Sequence, residues 1–324
     1  MKIAGLLSFI TFNKFIIISL FFGLFSFAGQ WKLFMVFNDY NKGKNKTLLA
    51  YAVLYTPSIW FWGSGLMKDS ICLGAVGFIV SILYKNIIKK QISFREWLLF
   101  PFLILLVYSL KSYIIIVLIM SVMAVVFVRY VWQLKNVLVR IGVITLFLII
   151  SGLVITFSDF STEINDIVEE SYSQVQTFQK NYQETQNEDE TSKAGFELGK
   201  VDATLSGMLL KSPGVIFSCL FRPFLWESKK IIILFTSLES TLLLLSTIFL
   251  LFKTRFIGFF TIIFTNQLAL FSFVASILFA LIIGFTTFNF GTMVRYKIIL
   301  LPSKILYAFA YNIYLSKTDR TFIH

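Results

Sequence analysis

Long apolar runs decide what this chain can fold into. Phe15–Phe37, Val137–Phe157 and Ile231–Phe252 are dominated by Phe, Ile, Leu and Val. Each reaches the roughly 20 residues that a helix needs to cross a hydrocarbon core of about 30 Å. Backbone N–H and C=O groups in lipid have no water to bond, so such runs form helices, which satisfy those groups internally. The charge content agrees: 14% of residues are charged, against about 25% in a typical soluble domain. The sequence therefore predicts an all-α fold, a polytopic transmembrane helical bundle.

The net charge of +12 would suggest nucleic acid in a soluble protein. Here Lys and Arg cluster in short loops, which is the orientation signal of membrane insertion. Asn38–Lys46 carries Lys42, Lys44 and Lys46, Lys85–Glu96 carries Lys85, Lys89, Lys90 and Arg95, and Arg129–Arg140 and Lys253–Arg255 add more. These loops are expected on the cytoplasmic side. Ser158–Pro213 is the opposite, with eleven acids against four lysines, and is expected outside.

One alternating path satisfies these loops. Phe15–Phe37 runs inward, Thr47–Met67 outward, Ser70–Tyr84 inward, Trp97–Leu110 outward, Tyr113–Val128 inward and Val137–Phe157 outward. Ile231–Phe252 returns, and Phe256–Phe285 crosses out again. That last run is overlong and holds Asn266 and Gln267, so a single span, a broken helix and a hairpin all remain open; a hairpin would move Arg295 to the cytoplasmic side. Ile298–Leu315 makes a final span with a basic end inside, giving about eight or nine spans by the positive-inside rule. Met1–Lys14 reads as an amphipathic lead-in rather than a cleaved signal, since no small-residue cleavage site follows.

Three regions result: N-terminal transmembrane helices over 1–157, an extracytoplasmic loop over 158–230, and C-terminal transmembrane helices with a short basic tail over 231–324. Within the loop, Ser158–Lys200 has too few large apolar residues to bury a core. Val201–Trp226 is richer in Leu, Val, Ile and Phe and is expected to pack on the membrane surface over the bundle. The location expected is the cell inner (cytoplasmic) membrane.

Several chemistries are excluded by residue inventory. The single histidine is His324, and the cysteines are Cys72 and Cys219. A mechanism built on a buried histidine base or a histidine-ligated metal is therefore not expected, and the cysteine pair forms no metal-ligand pattern and implies no disulfide framework. Neither a Walker A loop nor a GxGxxG following a strand is present.

What remains is a set of charges that this topology leaves at the outer face or at membrane depth, where ionisable groups tend to mark sites. Lys68 and Asp69 sit at a reversal after Gly63 and Gly65, where glycine permits tight backbone approach. Lys111 interrupts two apolar runs. Arg222-Pro223-Phe224-Leu225-Trp226-Glu227 closes the loop, Glu239 lies inside a span, and Arg295-Tyr296-Lys297 follows the last outward helix. Arginine forks and lysine point charges suit phosphate. The plain alternatives are interfacial snorkelling for the cations, neutralisation of Lys68 by Asp69, a lysine partner or packing hydrogen bond for Glu239, and belt anchoring for Trp60, Trp62, Trp97 and Trp226.

Pro57-Ser58-Ile59-x-Phe61-Trp62-x-Ser64-Gly65-x-x-Lys68-Asp69 and Asn289-x-Gly291-Thr292-x-Val294-Arg295-Tyr296-Lys297 resemble recurring motifs of O-antigen and capsule polymerase-like (Wzy-type) proteins and of multispanning lipid-carrier glycosyltransferases. The order of elements is similar too: an early Lys/Asp reversal, a large middle loop and a late Arg-Tyr motif. The resemblance covers these islands rather than the whole chain, and members usually have more spans. It implies a polyprenyl-pyrophosphate-linked glycan lying in a groove between helices with its head group at the outer face. Arg295 and Arg222 would hold phosphate, helped by Lys68 and Lys111, with Tyr296, Lys297 and Glu239 as further substrate-binding residues, while Asp69 or Glu227 would take the acceptor proton. No metal or soluble cofactor is implied. The partners expected are that glycan, membrane lipid and other envelope-biosynthesis proteins, with no nucleic acid. Two other functions fit the same sequence. One is a transporter or flippase of lipid-linked envelope precursors, using Glu239, Asn266 and Gln267 as a midplane path. The other is a non-catalytic scaffold that docks through its acidic loop.

Overall fold

The computed structural model describes residues 2–44, 46–91, 93–136, 138–140, 142–143, 145–146, 205–228, 231–287 and 290–298. Among them every regular element is a helix. In chain order these are α1 (Lys2–Ile10), α2 (Phe15–Tyr40), α3 (Lys46–Val53), α4 (Pro57–Gly63), α5 (Lys68–Tyr84), α6 (Phe94–Leu110), α7 (Ser112–Gln133), α8 (Leu205–Phe221), α9 (Ile231–Thr265), α10 (Gln267–Thr286) and α11 (Phe290–Lys297). Five stretches are long and apolar enough to cross a membrane: Phe15–Tyr40, Lys68–Lys89, Phe94–Gln133, Ile233–Thr265 and Gln267–Thr286. The chain is thus an all-helical protein with several membrane-spanning candidates. Most of Val137–Phe157 and of Ile298–Leu315, two of the predicted spans, lies outside the described residues, as does the acidic part of the predicted loop up to residue 204.

The breaks between helices follow from local chemistry. Thr47–Met67 is not one helix: α3 stops at Val53, and α4 starts with Pro57 in its first turn after Thr56 in an extended conformation. Proline lacks the N–H that a first turn leaves unpaired, which suits it to that position. The Thr56 hydroxyl donates back to the Tyr51 and Ala52 carbonyls at 3.3 Å, pinning the break. α5 continues into a single π turn, Lys85–Lys89, that ends where Lys90 turns left-handed (φ 54). Phe94–Gln133 divides at Lys111, whose φ of −153° and ψ of 86° are not helical.

Phe256–Phe285 is broken too. α9 is interrupted at Arg255 (φ 56, ψ 156), and α10 starts afresh after Asn266, whose side-chain oxygen accepts from the Ala269 N–H at 3.0 Å. The short piece after Arg255 lies along the end of α7, around Phe127, Val131 and Trp132. Phe259, Phe260 and Ile263 of this piece pack back on Ala269, Leu270 and Phe273 of α10, with the Phe260 and Phe273 rings 6.1 Å apart, so the chain reverses at Asn266.

α5 is the hub. It packs on α2 on one side and α6 on the other, while α10 packs on α7 and α8. α2 and α5 run parallel, since Phe22 and Ile71 share one cluster near their starts and the Tyr40 and Tyr84 rings meet at 6.3 Å at their ends. Three glycines make this contact possible. A Cβ on Gly29 would run into the Gly74 backbone, one on Gly77 into Gly29, and one on Gly74 would meet the Phe25 carbonyl at 2.6 Å. Small residues let helices approach to backbone contact, the main source of packing energy where lipid removes the hydrophobic drive. α8 packs its buried Val215 and Cys219 against Gly284 of α10. The apolar half of the predicted loop is thereby part of the bundle, rather than a cover laid over it.

These packings sort the chain into two ends. One gathers the starts of α5 and α7, the ends of α6 and α10, and α11. The other gathers the ends of α2 and α5 and the start of α6: Asp39 meets Tyr84 and Lys89, and Lys85 pairs with Glu96.

Candidate functional site

The first of these ends carries the candidate site, and its geometry begins in the segment between α4 and α5. Met67 N–H donates to the Gly65 carbonyl at 2.8 Å, and the Ser70 hydroxyl donates to the carbonyls of Gly65 at 2.7 Å and Trp62 at 3.2 Å. This tight reversal delivers Lys68 and Asp69 as the first residues of a long helix. A carboxylate in a first turn is favoured by the helix dipole.

Asp69 is completely buried, and its two oxygens are divided. Oδ1 takes the Lys111 ammonium, and Oδ2 takes Nε of Arg295. Lys111 occupies the turn between α6 and α7. Its side chain is 10% exposed, and Nζ stands 3.7 Å from the centroid of the Tyr296 ring. Burying a carboxylate is costly unless cations and hydrogen bonds compensate it; here two cations from distant parts of the chain do so. Arg295 remains 35% exposed, and Lys68 is exposed and makes no ion pair among the described residues.

Lys68, Lys111 and Arg295 line one cleft of about 1040 Å³. Hydroxyls of Tyr108, Ser112, Tyr113, Thr287 and Thr292 share its wall, and Leu66, Met67, Ile282 and Ile283 supply an apolar side. No Asp or Glu is among the lining residues. The cleft therefore combines a cationic floor, hydrogen-bonding groups and an apolar flank.

The other predicted site residues lie next to this cleft but are engaged elsewhere. Lys297 donates to the Arg222 carbonyl, to the Leu220 carbonyl at 3.4 Å and to the Ser240 hydroxyl at 3.3 Å, so it holds the end of α8 and the flank of α9 against α11. Arg222 pairs with Glu227, its Nε reaching the two carboxylate oxygens at 3.0 and 3.2 Å. Glu227 also accepts from the Phe224 N–H at 2.9 Å. Glu239 accepts from both N–H and hydroxyl of Ser58, each at 2.7 Å. The N–H is an orphan donor of the first turn of α4, so the acid serves as a cap supplied from another helix. Lys229 and Lys230 lie outside the described residues.

The structure thus brings Lys68, Asp69, Lys111, Arg295 and Tyr296 together. It sets Arg222 with Glu227 and Glu239 with Ser58 as neighbouring ties. Sequence reasoning names Thr292 as part of the second motif but does not single out Tyr108 or Thr287 on the cleft wall. Their only signal is a hydroxyl side chain placed near the end of an apolar run. Among the described residues no group of three His, Cys, Asp or Glu side chains stands in position to hold a metal ion. Comparison of the chain with family models, curated proteins and solved structures returns no match, so its functional reading rests on these residues.

Proposed function

We propose that the chain is an integral membrane protein of envelope polysaccharide biosynthesis that transfers or polymerises a polyprenyl-pyrophosphate-linked glycan. The observation that carries the reading is the cleft. Three cations line it without a lining acid, beside an apolar flank at one end of a membrane bundle. An anionic head group on a long apolar tail matches both surfaces, and the resemblance of the Lys68-Asp69 and Arg295-Tyr296-Lys297 motifs names the glycan. In this reading the cleft opens on the extracytoplasmic side of the inner membrane.

The chemistry is a displacement at the sugar C1. An acceptor hydroxyl oxygen forms the new bond to C1, the bond from C1 to the phosphate oxygen breaks, and the departing pyrophosphate carries off that bond's electron pair and takes up the hydroxyl proton. Cations fixed where that charge develops lower the barrier without reorganising during the step. The transferase reading is preferred to transport because Glu239 and Asn266, two members of the supposed midplane path, are committed to the first turns of α4 and α10.

The test combines sidedness with chain length. Single cysteines flanking Arg295 are labelled with a membrane-impermeant thiol reagent; native Cys72 and Cys219 are both buried and give a low background. Surface polysaccharide length is measured for Arg295→Ala and Arg295→Lys. Labelling from outside together with lost chain extension in both variants is expected. Cytoplasmic labelling, or normal polysaccharide in both variants, overturns the proposal.

A further inference from the structure

Three cations line the cleft, but they are not equivalent, and one buried carboxylate makes the difference. We propose that Asp69 is a positioning residue: it retains Lys111 as a fixed counter-charge and turns Arg295 so that its two terminal nitrogens, together with Lys68, take the anionic ligand. This rests on the reading of the cleft as a lipid-diphosphate site and assigns the labour within it.

The argument is one of geometry. Lys111 lies between the Asp69 carboxylate and the Tyr296 ring, nearly out of contact with solvent. To reach a ligand it would leave a fully buried carboxylate with one partner fewer and forfeit the ring, and breaking a buried pair is strongly unfavourable. Arg295 meets Asp69 through Nε alone. Its terminal nitrogens make no hydrogen bond among the described residues, and its side chain is one-third exposed on the cleft. A guanidinium held at Nε presents its remaining edge as a fork matched to two phosphate oxygens. Lys68 stands beside Asp69 on the same first turn, exposed and on the cleft wall. The ligand thus meets two cations, one from each motif, and Asp69 connects the motifs beneath it.

The test is binding without glycan. The full chain is purified into nanodiscs of zwitterionic lipid and titrated at low salt with farnesyl diphosphate, which carries the tail and the charge but no sugar. Lys68→Ala and Arg295→Ala are each expected to weaken binding about tenfold or more, the usual effect of losing a charge-assisted hydrogen bond. The decisive variant is Asp69→Asn. It makes the cleft more positive, so attraction by charge alone predicts tighter binding, whereas a lost anchor for Arg295 predicts weaker binding. Asp69→Glu keeps the charge and displaces the carboxylate, so it is expected to weaken binding as well. This variant decides the matter if the Asn protein fails to fold by size exclusion. Tighter binding by Asp69→Asn, or unchanged binding by Asp69→Glu, overturns the positioning role while leaving the lipid-diphosphate reading intact. Failure of the unmodified chain to bind the probe overturns both.

Discussion

Each end of the bundle holds a carboxylate paired with a lysine that stands near a tyrosine ring. At one end Asp39 accepts from the Tyr84 hydroxyl at 2.7 Å and pairs with Lys89 at 2.8 Å, while Lys89 stands 5.9 Å from the Tyr84 ring. At the other, Asp69 pairs with Lys111, which stands over the Tyr296 ring, and with Arg295. Carboxylate, lysine and tyrosine recur, but Tyr84 donates to Asp39 whereas the Tyr296 ring only faces Lys111, and Asp39 is 51% exposed and Asp69 not at all. Water screens the first cluster, so it costs little and holds little. The second has replaced water by two cations, and leaving either one unpaired is expensive. The same residue types therefore make a loop fastening in one place and the anchor of a cationic cleft in the other.

The comparison is broken most severely at the buried carboxylate. Asp69→Ala leaves Lys111 without its partner in a nearly dry site and releases Arg295. A loss of about 3–5 kcal/mol of unfolding free energy is expected, the range for breaking a buried pair. Steric trapping in bicelles measures it, and a loss below about 1 kcal/mol, the range of exposed pairs, would mean that burial does not distinguish the two clusters.

A smaller effect is expected where the helices carrying the two carboxylates touch. α2 bears Asp39 and α5 bears Asp69, and their spacing is set by Gly29, Gly74 and Gly77. Gly29→Ala drives a methyl into the Gly74 backbone, which no rotamer change can relieve. Overpacking of this kind costs about 1–3 kcal/mol, read in the same unfolding measurement, and Gly5→Ala, with open space around it, serves as the neutral control.

Next in size is the tie beside the cleft. Glu239→Gln keeps an oxygen for one Ser58 donor but loses the charge and the second acceptor. About 1 kcal/mol is expected from the net worth of a hydrogen bond. An unchanged stability would show that α4 does not depend on this cap.

How much of this could be read from sequence depends on how far apart the partners lie along the chain. The helices were legible, since apolar runs and lipid leave no other backbone solution. So were two of the breaks, at Lys111 and Asn266-Gln267, because polar residues interrupt apolar runs there. The candidate cations Lys68, Lys111 and Arg295 were legible as charges at span ends. Their arrangement was not. Asp69 reads from sequence as an acceptor base or a neutraliser of its neighbour Lys68, whereas its partners are 42 and 226 residues away. For Glu239 a packing hydrogen bond is one of the readings, but its Ser58 donors, 181 residues off, cannot be named from sequence. The break in Thr47–Met67 was missed because the hydrophobic pattern continues across it, and only Pro57 marks the place.

The smallest expected effect lies at the exposed cluster and completes the comparison. Asp39→Ala removes the partner of Lys89, which has access to water in its place, and the acceptor of the hydroxyl of Tyr84, a buried residue. Exposed pairs of this kind contribute about 0.2–1 kcal/mol, and that contribution is expected to shrink as salt rises, because the Debye length falls from about 10 Å at 0.1 M to about 3 Å at 1 M. The loss on Asp69→Ala, at a carboxylate with no exposed surface, is expected to persist across the same salt range. Measuring the two variants side by side at both salt concentrations separates screening from burial. Equal salt dependence would mean that the Asp69 cluster is as open to solvent as its counterpart, and that the cleft has no dry anchor beneath it.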